Sequence, residues 1–205
     1  PIQDIANVLS RDEVVRRLLR SNPGIRVPGA WDGFELTVRA ILGQQISVKA
    51  ATTIAGRIAR AYGKPAGDQG FAGLTHLFPA PERLARARFN RLGITSSRAA
   101  TLRSVARAVI DGVLTFDASQ DLATFRESLL AIPGIGEWTA QYVAMRALKN
   151  PDAFPAADLG LLRAFDEPGR QRMRPAQLEE LSQAWRPWRA YAALLLWNPV
   201  PGSGG

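Results

Sequence analysis

The chain has no cysteine, which excludes disulfides, thiolate zinc sites, a cysteine nucleophile and any iron–sulfur cluster held by thiolates. Lysine is scarce. Of 26 basic residues only Lys49, Lys64 and Lys149 are lysine, leaving 23 arginines. Histidine occurs once, as His76 in a loop, and is read as incidental. No apolar run approaches the roughly 20 residues that span a bilayer, and no signal-peptide pattern opens the chain. A cytoplasmic location is therefore the expectation, and no membrane partner is expected. What is present is positive charge, +8 over 205 residues, with an isoelectric point near 10.9. The forked guanidinium suits phosphate, so this balance favours a polyanionic partner. Genome-level bias is the plainer alternative, because alanine, glycine and proline are abundant too.

The hydrophobic spacing is helical almost throughout. Val14, Val15, Leu18 and Leu19 predict a helix over 12–19 with Ser10 as its N-cap. Further helices are expected over 34–42, over 47–62 with Ser47 as cap, and over 81–87, 98–111 and 122–131. The remaining ones are expected over 137–148, from near Asp158, and over 175–197 with an interruption at Pro187. Residues 21–33 and 63–81 are rich in glycine and proline and read as loops. No alternating strand pattern persists and no repeat of fixed period occurs. The fold class is all-α.

The most specific local signal is Leu130-Ala131-Ile132-Pro133-Gly134-Ile135-Gly136, set between two helices. Two glycines one residue apart let the chain turn sharply. They also leave N–H groups bare at the start of the next helix, where the dipole favours a phosphate without reading any base. A plain helix–helix corner would use the same Gly-x-Gly.

The run from Ile132 through Gly136 to Trp138-Thr139-Ala140 resembles the hairpin of the helix-hairpin-helix (HhH-GPD) DNA glycosylases. Asp158, in Phe154-Pro155-Ala156-Ala157-Asp158, matches the second half of that signature. The segments 39–47 and 184–192 are similar to the branch that removes 3-methyladenine. The four segments lie in the right order over nearly the whole chain. The resemblance implies two helical lobes with the active-site cleft between them. It also implies a glycosylase domain over 1–198, with the hairpin at about 128–148 and a flexible tail at 199–205. The mixed α/β domain that precedes the helical part in the type enzyme is expected to be absent. The implied activity is excision of alkylated purines (3-methyladenine, 7-methylguanine) from double-stranded DNA by base flipping, by a monomer associated with the nucleoid.

On the resemblance, Asp158 is the catalytic carboxylate, although the residue also reads as the N-cap of the helix that follows it. Trp138, Tyr142 and Trp197 match the base pocket, against the commoner fate of aromatics at helical spacing, which is core packing. Trp185, Trp188 and Tyr191 are assigned to the core. Pro133, Gly134, Ile135, Gly136 and Thr139 match the DNA-gripping hairpin. Gln44 and Gln45 match the wedge that fills the gap left by a flipped base, and two solvent-facing glutamines at a helix end are the plainer reading. No cofactor is required by the chemistry. The resemblance does imply a structural Na+ or K+ at the hairpin, bound by the main-chain carbonyls of Leu130, Ile132 and Ile135.

Where strand-nicking relatives carry a lysine, this chain has Trp138, so lyase activity is not expected. Glu137 is the other carboxylate close to the hairpin in sequence. Two alternatives stand beside the main reading: a non-catalytic DNA-binding module, and a glycosylase for oxidised or deaminated bases.

Overall fold

Ile2, Ile5 and Leu9 recur at helical spacing, and in the computed structural model Ile5 and Leu9 form the buried side of the first helix, α1 (Ile2–Leu9), while Ile2 at its start is exposed. The structure describes residues 2–67, 73–166 and 171–198. The expected tail at 199–205 lies outside them. Helix α2 (Glu13–Ser21) begins at Asp12, whose carboxylate accepts the Val15 N–H at 2.9 Å. The expected cap at Ser10 is therefore corrected: the Ser10 N–H donates to the Ala6 carbonyl and closes α1.

Helices α3 (Gly33–Gly43) and α4 (Val48–Tyr62) follow the expected bounds closely, with Asp32 and Ser47 as their caps. Next come α5 (Pro81–Ala85) and α6 (Ser96–Ile110), then α7 (Leu122–Leu130) and α8 (Glu137–Ala147) on either side of the hairpin. Finally α9 (Leu159–Arg163) and α10 (Pro175–Ser182) lead through a 3-10 turn, Gln183–Trp185, to α11 (Arg189–Trp197). Among the described residues the sole β feature is an isolated bridge between Pro65 and His76, so the all-α reading stands.

The helices sort into two lobes. Helices α3 to α8 pack on one another, whereas α1 and α2 pack with α11, α9 and the 3-10 turn. Both ends of the chain thus build one lobe, and the middle builds the other. Trp185 and Phe154 are completely or almost completely buried and meet edge to face at 5.7 Å in the lobe made by the ends. Arg189 is buried there as well, with Asp152 and Glu179 on its guanidinium at 2.8 Å each. Its charge is thereby matched on two sides.

Candidate active site

The hairpin is locked from below. Gly134 adopts φ +91°, a left-handed conformation that side chains rarely tolerate. A β-carbon there would collide with the Thr101 hydroxyl. That hydroxyl donates to the Pro133 carbonyl at 2.9 Å and ties α6 to the turn. Pro133, Gly134 and Gly136 are exposed, while Ile132 and Ile135 are buried. The Ile135 N–H is already used, donating to the Ile132 carbonyl at 3.1 Å. Gly136 is the N-cap of α8 and no side chain caps the helix, so its first-turn N–H groups have no intrahelical or side-chain partner.

Two hairpin readings change. Thr139 is buried, and its hydroxyl accepts from the Gln44 amide at 3.0 Å. It braces the turn and is not presented to a ligand. Gln44 donates also to the Gly134 carbonyl at 3.2 Å, and its own carbonyl accepts from Arg98 at 2.7 Å. A side chain so held cannot project as a wedge. Gln45 is exposed, with φ +59°, and stands out from the same turn.

Asp158 caps α9, and its Oδ1 accepts the N–H groups of Gly160 at 2.8 Å and Leu161 at 3.1 Å. The Trp197 indole N–H reaches the same oxygen at 2.8 Å, and the Trp138 indole N–H donates to Oδ2 at 2.7 Å. Four donors thus converge on one carboxylate, which is acceptor-only when ionised. Gly160 permits this approach: a β-carbon there would lie 3.0 Å from Asp158 Oδ1 and 3.2 Å from Trp197 Cδ1. The cap reading and the functional reading of Asp158 describe the same atoms.

Trp138, Tyr142, Trp197 and Asp158 line one cleft of about 590 Å³ between the lobes, opposite Leu36, Ala40, Ile46 and Val48. Trp138 stacks on Tyr142 at 5.2 Å and 7°, and Tyr142 meets Trp197 edge to face at 6.3 Å. These aromatics are therefore wall, and the two tryptophans are also carboxylate donors, a role their spacing did not disclose.

Two cleft residues escaped sequence reading. Arg146 is four residues after Tyr142 and eight after Trp138, hence on the same helical face, so periodicity could have found it. Its guanidinium lies 5.6 Å from the Tyr142 ring centroid and donates to the phenol oxygen at 3.1 Å. Arg39 lines the opposite wall, paired with Glu35 at 2.6 Å. Glu137 is turned elsewhere. Arg126 grips it at 2.7 and 2.9 Å, and Gln141 donates at 2.9 Å. The Arg126 contact holds its carboxyl below the usual glutamate range against the opposing pull of burial. A paired, ionised carboxylate outside the cleft does not serve as a general acid.

An all-helical, two-lobed chain with a glycine hairpin and an inter-lobe carboxylate defines a base-excision glycosylase scaffold. The chain belongs to the HhH-GPD superfamily of base excision DNA repair proteins, whose pattern matches residues 38–190. Its relatives are more particular. It is 44% identical over 196 residues to a probable bifunctional transcriptional activator/DNA repair enzyme AlkA of Mycobacterium tuberculosis, covering 96% of this chain and 39% of that protein. It is 39% identical to DNA-3-methyladenine glycosylase 2 of Escherichia coli, covering 88% of this chain and 62% of that one. The chain thus spans less than two thirds of the length of these two curated relatives. The Schizosaccharomyces pombe 3-methyladenine DNA glycosylase Mag1, solved in complex with abasic DNA, superposes with a TM-score of 0.79 at 25% identity, covering 95% of each chain.

Proposed function

We propose that this chain is a monofunctional DNA glycosylase that hydrolyses the N-glycosidic bond of alkylated purines in double-stranded DNA, with Asp158 as its catalytic carboxylate. The observation that carries the reading is the Asp158 carboxylate, fixed by four N–H donors on the wall of an aromatic cleft. Departure of the base builds positive charge on the deoxyribose, and a preoriented anion stabilises that charge where water is sparse. The same oxygens can position or deprotonate the attacking water. Because the four donors hold the carboxylate in place beforehand, little reorganisation is needed as the charge develops.

A purine methylated at N3 or N7 is cationic and leaves without a general acid, which suits a cleft whose lining holds one carboxylate, Asp158. The faces of Trp138, Tyr142 and Trp197 attract such a cation, each contact contributing on the order of 0.5–2 kcal/mol. The lining contains no lysine, which supports hydrolysis without a Schiff-base lyase step. The uncapped start of α8, with the exposed Pro133, Gly134 and Gly136, is the surface for a DNA phosphate, and Gln45 is the wedge.

A structural Na+ or K+ at the hairpin would be held by the main-chain carbonyls of Leu130, Ile132 and Ile135. Leu130 is the last residue of α7, and Ile132 and Ile135 follow it in the hairpin. Such an ion would supply positive charge beside a phosphate bound there. The protein acts as a monomer in the cytoplasm, at the nucleoid, and no helix of the described residues is long and apolar enough to cross a membrane.

Arg39 and Arg146 on the cleft walls favour a second reading, in which neutral deaminated purines are also released. Guanidinium donors suit a carbonyl on the base and repel a cation. Base release measured over 3-methyladenine, 7-methylguanine, hypoxanthine, uracil and 8-oxoguanine separates the two. We expect the methylated purines to be released fastest. Release of 8-oxoguanine alone, or strand cleavage without added base, contradicts the proposal.

A further inference from the structure

A second concavity lies away from the cleft, between the turn after α5 and the side of α6, with a volume of about 500 Å³. Its lining is Ala85, Arg86, Ala87, Arg88, Asn90, Arg103 and Arg107. No acid takes part, and among the described residues no carboxylate pairs with any of the four arginines. Arg91 lines the adjoining depression together with Arg88 and Arg103.

The backbone builds this arrangement. Ala85, Ala87 and Phe89 are buried, whereas Arg86, Arg88 and Asn90 between them are exposed. That alternation sends both guanidiniums to one side, toward the arginines of α6, which are four apart on one helical face. Phe89 anchors the segment. It adopts φ +55°, its N–H donates to the Tyr62 hydroxyl at 2.9 Å, and its ring meets Tyr62 edge to face at 5.6 Å. One residue beyond Arg91, the Leu92 carbonyl accepts from Arg57 at 3.3 Å. Arg103 is itself held, donating to the Ala87 carbonyl at 3.3 Å. Genome-wide arginine bias scatters arginines over a surface. It does not gather four around one anchored hollow with no acid in its lining.

We infer that this arginine groove binds a run of DNA backbone phosphates distinct from the strand at the hairpin. Arg98 and Thr101 contact the Gln44 turn and the hairpin from one side of α6, and Arg103 and Arg107 project from another. The groove is open and lined by charge without aromatic rings, which suits phosphates and gives no base readout. Its role is sequence-independent retention on DNA beyond the lesion. The inference rests on the DNA-binding half of the proposed function and not on base release.

The test is binding to a lesion-free duplex as a function of salt, for the wild-type chain and for the triple variant Arg86→Gln, Arg88→Gln, Arg107→Gln. Losing three phosphate contacts lowers the salt slope by about 2.7, because each neutralised phosphate contributes about 0.9. Between 50 and 200 mM salt the wild-type chain then loses about 40-fold more affinity than the variant. Single-turnover base release at saturating DNA is expected to stay at the wild-type rate, and the triple Lys variant is expected to restore the slope. An unchanged slope in a Gln variant with wild-type melting temperature overturns the inference. So does displacement of DNA from the groove by low-millimolar inorganic phosphate, which would assign the hollow to a free anion. If the wild-type chain binds DNA but releases no base, the catalytic proposal fails while the salt comparison still reads the groove.

Discussion

Trp138 and Trp197 each divide their side chain between two tasks. The ring walls the cleft, and the indole N–H holds one oxygen of Asp158, at 2.7 and 2.8 Å. Replacing either by phenylalanine keeps an aromatic wall and removes one donor to a charged acceptor, worth about 1.5–3 kcal/mol. Where that donor matters to the transition state, base release should slow by roughly 10- to 100-fold. Affinity for abasic-site DNA should change little. Single-turnover rates and anisotropy titrations of Trp138→Phe and Trp197→Phe check both, and a wild-type rate would reduce the indoles to wall alone. Sequence disclosed these aromatics as pocket candidates through their resemblance to the family. Their donor role was hidden, because it depends on where α8 and α11 meet over α9. Gln44 and Thr139 were misread for a related reason. Both are polar residues beside a hairpin, and only packing reveals that they satisfy each other.

At the scale of elements, the hairpin and the helix that follows it concentrate the constraints. Gly134→Ala forces a β-carbon into the Thr101 hydroxyl at a left-handed φ. Strain and overpacking together should cost about 2–4 kcal/mol. The melting temperature should then fall by about 5–15 °C, readable by calorimetry, with weaker DNA binding. A melting temperature within a degree of wild type would mean the turn is not held as described.

The Arg126–Glu137 pair spans α7 and α8 across the same turn. Its folded-state carboxyl lies below the ordinary glutamate value, so its contribution is present above that value and fades as pH falls through the lowered one. Both partners are more than a third exposed, at 38% and 47%, and solvent screening keeps the effect to about 1 kcal/mol or less. Glu137→Gln should therefore melt slightly lower than wild type at pH 7, with the gap closing in acid as the pH falls through the lowered carboxyl value. A gap that widens in acid would reverse the sign. The helices themselves were largely legible from hydrophobic spacing and caps. Helix α1 was not identified, although Ile2, Ile5 and Leu9 carry the period, because it is short and its apolar face is completed only by packing against α2 and the 3-10 turn.

Over the whole molecule, the two ends of the chain fold into one lobe and the middle into the other, and the cleft is assembled from segments far apart in the sequence. Leu36 to Thr52 supply one wall, and Trp138 to Trp197 supply the other. Order of motifs revealed that plan through family resemblance, whereas periodicity alone could give only a set of helices. Arg39 entered the site through this long-range assembly, which is why it did not stand out in the sequence, whereas Arg146 shares a helix face with Trp138 and Tyr142. The positive charge has the same history. Composition could not separate DNA binding from arginine bias, but the structure gathers arginines into one groove and sets others on the cleft walls. Everything proposed about catalysis depends on one anion in that cleft. The direct measurement is single-turnover release of 3-methyladenine from methylated duplex DNA by Asp158→Asn beside the wild-type chain. The expected rate is lower by at least about 100-fold, with abasic-site binding retained. Release at the wild-type rate would contradict it.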